Sequence, residues 1–369
     1  MTFPRWLAVL LLLALVPGPI RGAQAQTVGV NVDNPQWLDA AARGAVLGRL
    51  QGAGVRLLRT PLAAPYDAAI DFVREAGLRG MKVVLVINTW DPRLYPDGTV
   101  TREPAGVPGM FPMPPLSAAD PNRFRAFLGP LLDQIEEHEV TLAGLELGNE
   151  INWAAFNGDF ALPVEGQVLG LADLDETPAG RRVAAGFRAY VGLLAALKDM
   201  RDRSRRHADT PIISAGLADW GGPGPLPAYT AQAVAIRATL RYLRAHGLDR
   251  FVDYYGIHTY PDPAWPAETR RRQLSRETFS ECRPADGGKP CWLTEWGLPI
   301  DSTTCPADDG KRAAAVAQTL EEFGAFVREG VLAKLIYYQW ENDADPLSIY
   351  RCGGLTESGR LVLSPGGSR

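Results

Sequence analysis

Two acids stand near the ends of apolar runs far apart in the chain. Glu150 closes LELGNE (145–150) beside Asn149, and Glu295 lies in CWLTEW (291–296) beside Trp296. A run folding for stability alone would end in a turn, without an amide and an acid side by side. Two carboxylates facing one another are what cleavage of a glycosidic link requires. One gives a proton to the leaving oxygen and the other attacks the anomeric carbon. At about 5–5.5 Å apart such a pair retains configuration, and at about 6.5–9.5 Å a water fits between and the outcome inverts. Lower polarity around one partner, added to the charge of the other, raises that partner's pKa until it can serve as the acid.

Other polar and aromatic residues close other apolar runs: Arg59, Asn88 with Trp90 just beyond, His258 with Tyr260, and Trp340. Alternative chemistries find less support. The four histidines, 138, 207, 246 and 258, show no pair at metal-ligand spacing. No G-x-S-x-G elbow is present. CGG (352–354) has only Arg351 to favour a phosphate.

To bring residues 150 and 295 together the chain must close on itself. Short aliphatic runs alternate with helical stretches, predicting strands over 27–33, 54–60, 81–88, 142–150, 211–217, 251–258, 290–296 and 333–340. Several are almost continuously apolar, as parallel strands covered on both faces are. Between them lie amphipathic segments such as 120–138, opened by Asp-Pro, and 310–330, closed by Gly. Eight strands with interleaved helices predict an α/β chain, one (β/α)8 barrel over residues 26–369. A doubly wound sheet would want G-x-G-x-x-G after its first strand, where the chain reads TVGVNVDNP. In the barrel, the long segments 102–116, 151–178 and 220–229 follow strands three, four and five at the catalytic face. The short tail predicts a stunted eighth helix.

The barrel also sorts the cysteines. Cys282 and Cys291 flank the start of strand seven at the bottom, while Cys305 and Cys352 follow strands seven and eight at the top. The expected disulfides are therefore 282–291 and 305–352. Disulfides suit export, and residues 1–25 read as a secretory leader: Arg5, the run WLAVLLLLALV, and the small-x-small AQA at 23–25. That places the mature chain outside the cytoplasm, secreted or periplasmic, with no stable membrane insertion after cleavage. The chain of 369 residues, 46% hydrophobic and 22% charged with a formal net charge of -4, is ordinary for a globular monomer and offers no basic face to nucleic acid. The basic run RDRSRRH (201–207) reads as the solvated end of a helix.

LGNE, TEWG, HTY and a Trp closing strand eight together resemble glycoside hydrolase clan A, the retaining (β/α)8 enzymes acting mostly on β-linked sugars. The likeness runs along the whole mature chain and is nearest to family 5-like members, with family 39 a neighbour. It implies Glu150 as general acid/base, Glu295 as nucleophile and Asn149 on the sugar 2-hydroxyl. Arg59 and Tyr260 would hold Glu295 ionised, His258 would position the acid/base, and Trp340 would form the aromatic floor. Asn88 and Trp90 stand where family 5 often has a histidine, a departure that bears on the subfamily. Trp153, Trp220, Trp265 and Trp296 are candidate stacking platforms. Asp33, Glu341 and Asp343 are candidate hydroxyl ligands, and Glu146 a structural acid deeper in the barrel. The expected function is hydrolysis of a β-glucan or β-mannan type poly- or oligosaccharide by double displacement, with no cofactor and no metal. The competing expectations are a catalytically silent glycan-binding barrel and a transglycosylase in exopolysaccharide handling.

Overall fold

A computed structural model describes residues 28–226 and 229–364; the expected leader lies outside the described residues. Eight parallel strand positions form the frame: β1 Val28–Asn31, β2 Leu57–Leu62, β3 Lys82–Ile87, β4 Leu142–Leu147, β5 in two pieces, Ile212–Ile213 and Leu217–Ala218, β6 Tyr255–His258, β7 Cys291–Trp296 and β8 Leu332–Tyr337. Neighbours in sequence are neighbours in the sheet, and β1 pairs with β8. The break in β5 does not open the ring. Its first piece pairs with β4, its second with β6, and a bridge from Ile213 to Tyr254 spans the seam. The expected closed (β/α)8 barrel is the fold found.

The outward faces of the strands pack on the helices. Of these, α1 is Ala40–Gly52, α2 Tyr66–Leu78, α3 Pro121–Glu137, α4 Pro178–Arg203, α5 Ile236–Ala245, α6 Ala267–Gln273, α7 Gly310–Arg328 and α8 Glu357–Leu363. The start of α3 follows from its sequence: the Asp120 side chain accepts from the Asn122 amide at 2.7 Å, and Pro121 takes a position that needs no donor. Gly330, at φ 72°, sits just past the end of α7, where a left-handed residue stops a helix. The seven residues of α8 are the stunted last helix expected.

Alternation along each strand divides two cores. Leu58, Val83, Leu85, Leu145, Ile257 and Leu335 face the helices, whereas Leu57, Val84, Ile213, Trp292 and Ile336 form a separate cluster inside the ring. One layer above that plug the lumen becomes polar. Small residues make room for the plug itself. A Cβ on Gly29 would meet Leu57 at 2.9 Å, and one on Gly144 would meet Ile213 at 2.5 Å.

Loops build the upper rim. After β3, Arg102 pairs with Met113. After β4, Gln167–Leu169 joins Gly224–Pro225 and Gln232–Val234 in a three-stranded sheet that ties the loops following β4 and β5. Cys282–Cys291 and Cys305–Cys352 are bonded as expected, with Cα separations of 5.3 and 5.8 Å. The second disulfide ties the loops after β7 and β8. Among the described residues no helix is long and apolar enough to cross a membrane.

Candidate active site

Arg59 organises the polar layer of the lumen. Third in β2, it shares the inward face with Leu57 and is 4% exposed. Its Nε donates to Glu146 at 2.6 Å, and Nη1 donates to Glu295 at 2.7 Å and to the Asn31 side chain at 2.8 Å. Nη2 donates to Asn149 at 3.1 Å and to the second oxygen of Glu146 at 3.2 Å. Thr294 adds a hydroxyl to Glu146 at 3.0 Å, so that acid is wholly engaged below the site, the structural part expected of it. A buried guanidinium between two carboxylates is compensated and rigid.

Glu295 reaches the layer through an irregularity. Ile257 pairs with Leu293 but His258 pairs with Glu295, so β7 carries one extra residue at Thr294–Glu295. A bulge re-aims side chains. Here Thr294 and Glu295 both turn inward, and Trp296 turns out. Tyr260 donates its hydroxyl to Glu295 at 2.7 Å, opposite Arg59.

Glu150 arrives differently. β4 stops at Leu147, Gly148 takes φ 84°, and Glu150 itself holds φ 45°, uncommon for any residue but glycine. Its amide donates to the Gly216 carbonyl at 2.8 Å. That turn lets Asn149 and Glu150, adjacent in sequence, both address one cavity. His258 Nδ1 lies 2.9 Å from Glu150 and 3.5 Å from Glu295. One oxygen of each acid and a nitrogen of His258 fall within 4.8 Å of one another.

Electrostatics separate the two acids. Burial raises both pKa values, the charge of Glu295 raises Glu150 further, and the Asp33 carboxylate adds to the rise of Glu295. Arg59 and Tyr260 pull Glu295 back down, whereas Glu150 has no cation in contact and stays the higher. Glu295 therefore ionises first and Glu150 holds the proton. Burial and the neighbouring Arg59 keep His258 neutral. Its Nε2 is 3.4 Å from Arg59, a group that only donates, so the proton sits on Nδ1 and points at Glu150. That tautomer leaves Nδ1 no lone pair for a metal ion.

A cavity of about 510 Å³ opens above these groups. Arg59, Asn88, Trp90, Asn149, Glu150, Tyr260 and Glu295 line it, as do Asp33, Trp153 and Phe156. Trp90 and Trp153 pack on Phe156 with centroids 5.3 and 5.6 Å apart, giving an aromatic wall beside Glu150. His258 is buried beneath.

Two expected positions need correction. Trp296 is fully buried and packs between Phe323 of α7 and Tyr337, because the bulge reverses its face. Trp340 lies beyond the end of β8 and is 1% exposed against Tyr350, so it cannot floor the cavity. Tyr338 stands in the cavity instead, hydrogen-bonded to Asp33. It shares the inward parity of Ile336, a signal the sequence contains. Asn31, inward from β1, was likewise missed. Among the other candidates, Trp220 stacks behind Trp153 at 5.0 Å, Glu341 pairs with Arg49 at 2.8 Å, and Asp343 accepts from the Cys352 amide at 3.3 Å. Trp265 is partly exposed outside the cavity lining. Arg351 donates to the carbonyls of Asp343, Asp345 and Thr303, which leaves it no part in holding a phosphate.

No family model matches the sequence, and no curated protein does. Solved structures do match. A fungal β-1,4-galactanase is 17% identical, with 93% of this chain and 100% of that one covered at a TM-score of 0.55. A β-glucosidase from Thermotoga maritima is 12% identical, covering 94% and 99% at 0.55. A GH1 β-glucosidase from Exiguobacterium antarcticum B7 is 12% identical, covering 93% and 97% at 0.54. What this chain shares with all three, over nearly its full length, is the fold: one closed barrel of eight strands with helices around it.

Proposed function

We propose that the chain is an exported, retaining β-glycosidase acting by double displacement. The observation that carries the reading is the close approach of Glu150 and Glu295 with opposite surroundings, one acid beside a neutral imidazole and the other clamped by Arg59 and Tyr260. The nearest oxygens of the two acids lie within 4.8 Å, which supports the closer spacing of a retaining pair.

Glu295 attacks the anomeric carbon while Glu150 passes its proton to the departing glycosidic oxygen. The sugar is left esterified to Glu295. Glu150, now ionised, takes a proton from a water that attacks the same carbon, and both acids return to their starting forms. Asn149 offers its carbonyl oxygen to Arg59. Its amide N–H groups are thereby turned to the cavity, where they can donate to the sugar 2-hydroxyl, a contact that strengthens as positive charge develops. Tyr338 takes the aromatic floor in place of Trp340, and Trp90 and Trp153 offer ring faces to further sugars. The substrate is a β-linked poly- or oligosaccharide of β-glucan or β-mannan type. The galactanase and β-glucosidases above share the barrel. The two disulfides and the leader support an oxidising compartment outside the cytoplasm.

Proton NMR of the first-formed product tests this. The substrate's own anomer is expected, and its inverse would remove the double displacement. Glu295→Gln should abolish turnover, with folding intact by circular dichroism.

A further inference from the structure

Asp33, two residues past β1, is the third acid of the cavity. Among the described residues only Tyr338 hydrogen-bonds its side chain, through one oxygen, and the residue is exposed toward the opening. The Tyr338 ring meets Tyr260 edge-on at 6.3 Å, and Tyr260 holds Glu295. Asp33 therefore stands on the nucleophile's side, across from the aromatic wall that follows Glu150.

The charges of the cavity and its floor do not balance. Asp33, Glu150 and Glu295 bring three acids to the cavity and Glu146 adds a fourth beneath it, whereas Arg59 is the sole cation among the described lining residues. Arg59 is already committed. Its N–H groups go to Glu146, Glu295, Asn31 and Asn149, so none is left to grip a carboxylate on a sugar. Recognising a uronic acid calls for a free guanidinium or ammonium. A neutral hexose offers only hydroxyls, which a free carboxylate oxygen accepts.

We propose that Asp33 sorts substrates by charge, so that the site takes uncharged β-linked sugars and turns away uronic ones. This rests on the glycosidase reading above and narrows its substrate class. A carboxylate at the mouth of the cavity repels a like-charged ligand that must pass close to it, and most strongly at low salt.

The test uses matched pairs of 4-nitrophenyl β-D-glycosides, the glucoside with the glucuronide and the galactoside with the galacturonide. Each pair differs only at carbon 6. The full-length enzyme is expected to favour the neutral member in kcat/KM by about 100-fold or more. Asp33→Asn should shrink that ratio by about tenfold. In the unaltered protein, raising salt to about 0.5 M should narrow it as well, because screening weakens the repulsion. Equal or better use of the uronide overturns the proposal, as does a ratio unmoved by Asp33→Asn or by salt. If no member of either pair is cleaved, binding is read instead in Glu150→Gln, which keeps the charge of a protonated Glu150. Tryptophan fluorescence titrations then compare cellohexaose with β-1,4-mannuronate hexaose. Selective binding of cellohexaose supports the sorting role even where the hydrolytic reading has failed, and equal or reversed binding removes it.

Discussion

His258 Nδ1 lies 2.9 Å from Glu150, with its proton aimed at that carboxylate because Arg59 stands 3.4 Å from the other ring nitrogen. The imidazole is neutral and buried, so it steers Glu150 without competing for the proton. His258→Ala removes a donor to the ionised form of Glu150. We expect kcat to fall by about 10- to 100-fold and the alkaline limb of the rate profile to move upward. A pH series of kcat/KM on one substrate reads both effects.

The unaltered enzyme should show a bell. Activity rises with pH as Glu295 ionises, at a value above the ordinary carboxylate range, and falls as Glu150 loses its proton at a still higher one. The two limbs belong to the pair as a whole. An acid limb at or below the ordinary carboxylate range would contradict the burial of Glu295.

Stability carries the same sign. Glu150 binds its proton more tightly folded than unfolded, so its contribution is present below the unfolded pKa and is lost as pH rises toward the folded one. Glu150→Gln removes this loss. Its melting temperature should exceed that of the unaltered protein, by a margin that grows between pH 5 and pH 8.

Arg59 compensates two buried acids, Glu146 at 2.6 Å and Glu295 at 2.7 Å. Arg59→Met takes the ion-pair partner from Glu146 in the lumen, a loss of about 3–5 kcal/mol. Urea midpoints would show it, and an unchanged midpoint would mean that the Arg59–Glu146 pair adds nothing to stability.

The Cys305–Cys352 bond spans 47 residues, and both half-cystines are exposed, whereas Cys282 and Cys291 are fully buried. Mild reductant followed by alkylation should label 305 and 352 first. Replacing that pair with serines should cost about 4 kcal/mol through the freer unfolded chain. It should also raise KM, since the loop after β8 carries Tyr338.

The ring was legible because parallel strands buried on both faces leave long aliphatic runs, as in KVVLVI of β3. Asn88 followed from the end of an apolar run, whereas Arg59, expected to close its strand, sits third in β2 and faces inward with Leu57. What sequence hid was local backbone geometry. The bulge at Thr294–Glu295 sends two consecutive side chains inward, which strict alternation forbids, and it is why Trp296 lies in the helix layer. The left-handed turn at Glu150 likewise puts two adjacent residues on one face. Tyr338 needed no such device, only parity counted from Ile336, and Trp340 was misplaced because β8 ends at Tyr337.

The gap in β5 brings the backbone of Gly216 against the ring of His258. At Gly216 a Cβ would stand 1.9 Å from Nε2 of His258, so the hydrogen atom of glycine is what lets the ring occupy its slot. Even the methyl of an alanine at 216 would crowd the imidazole out of that slot and take the hydrogen-bond donor away from Glu150.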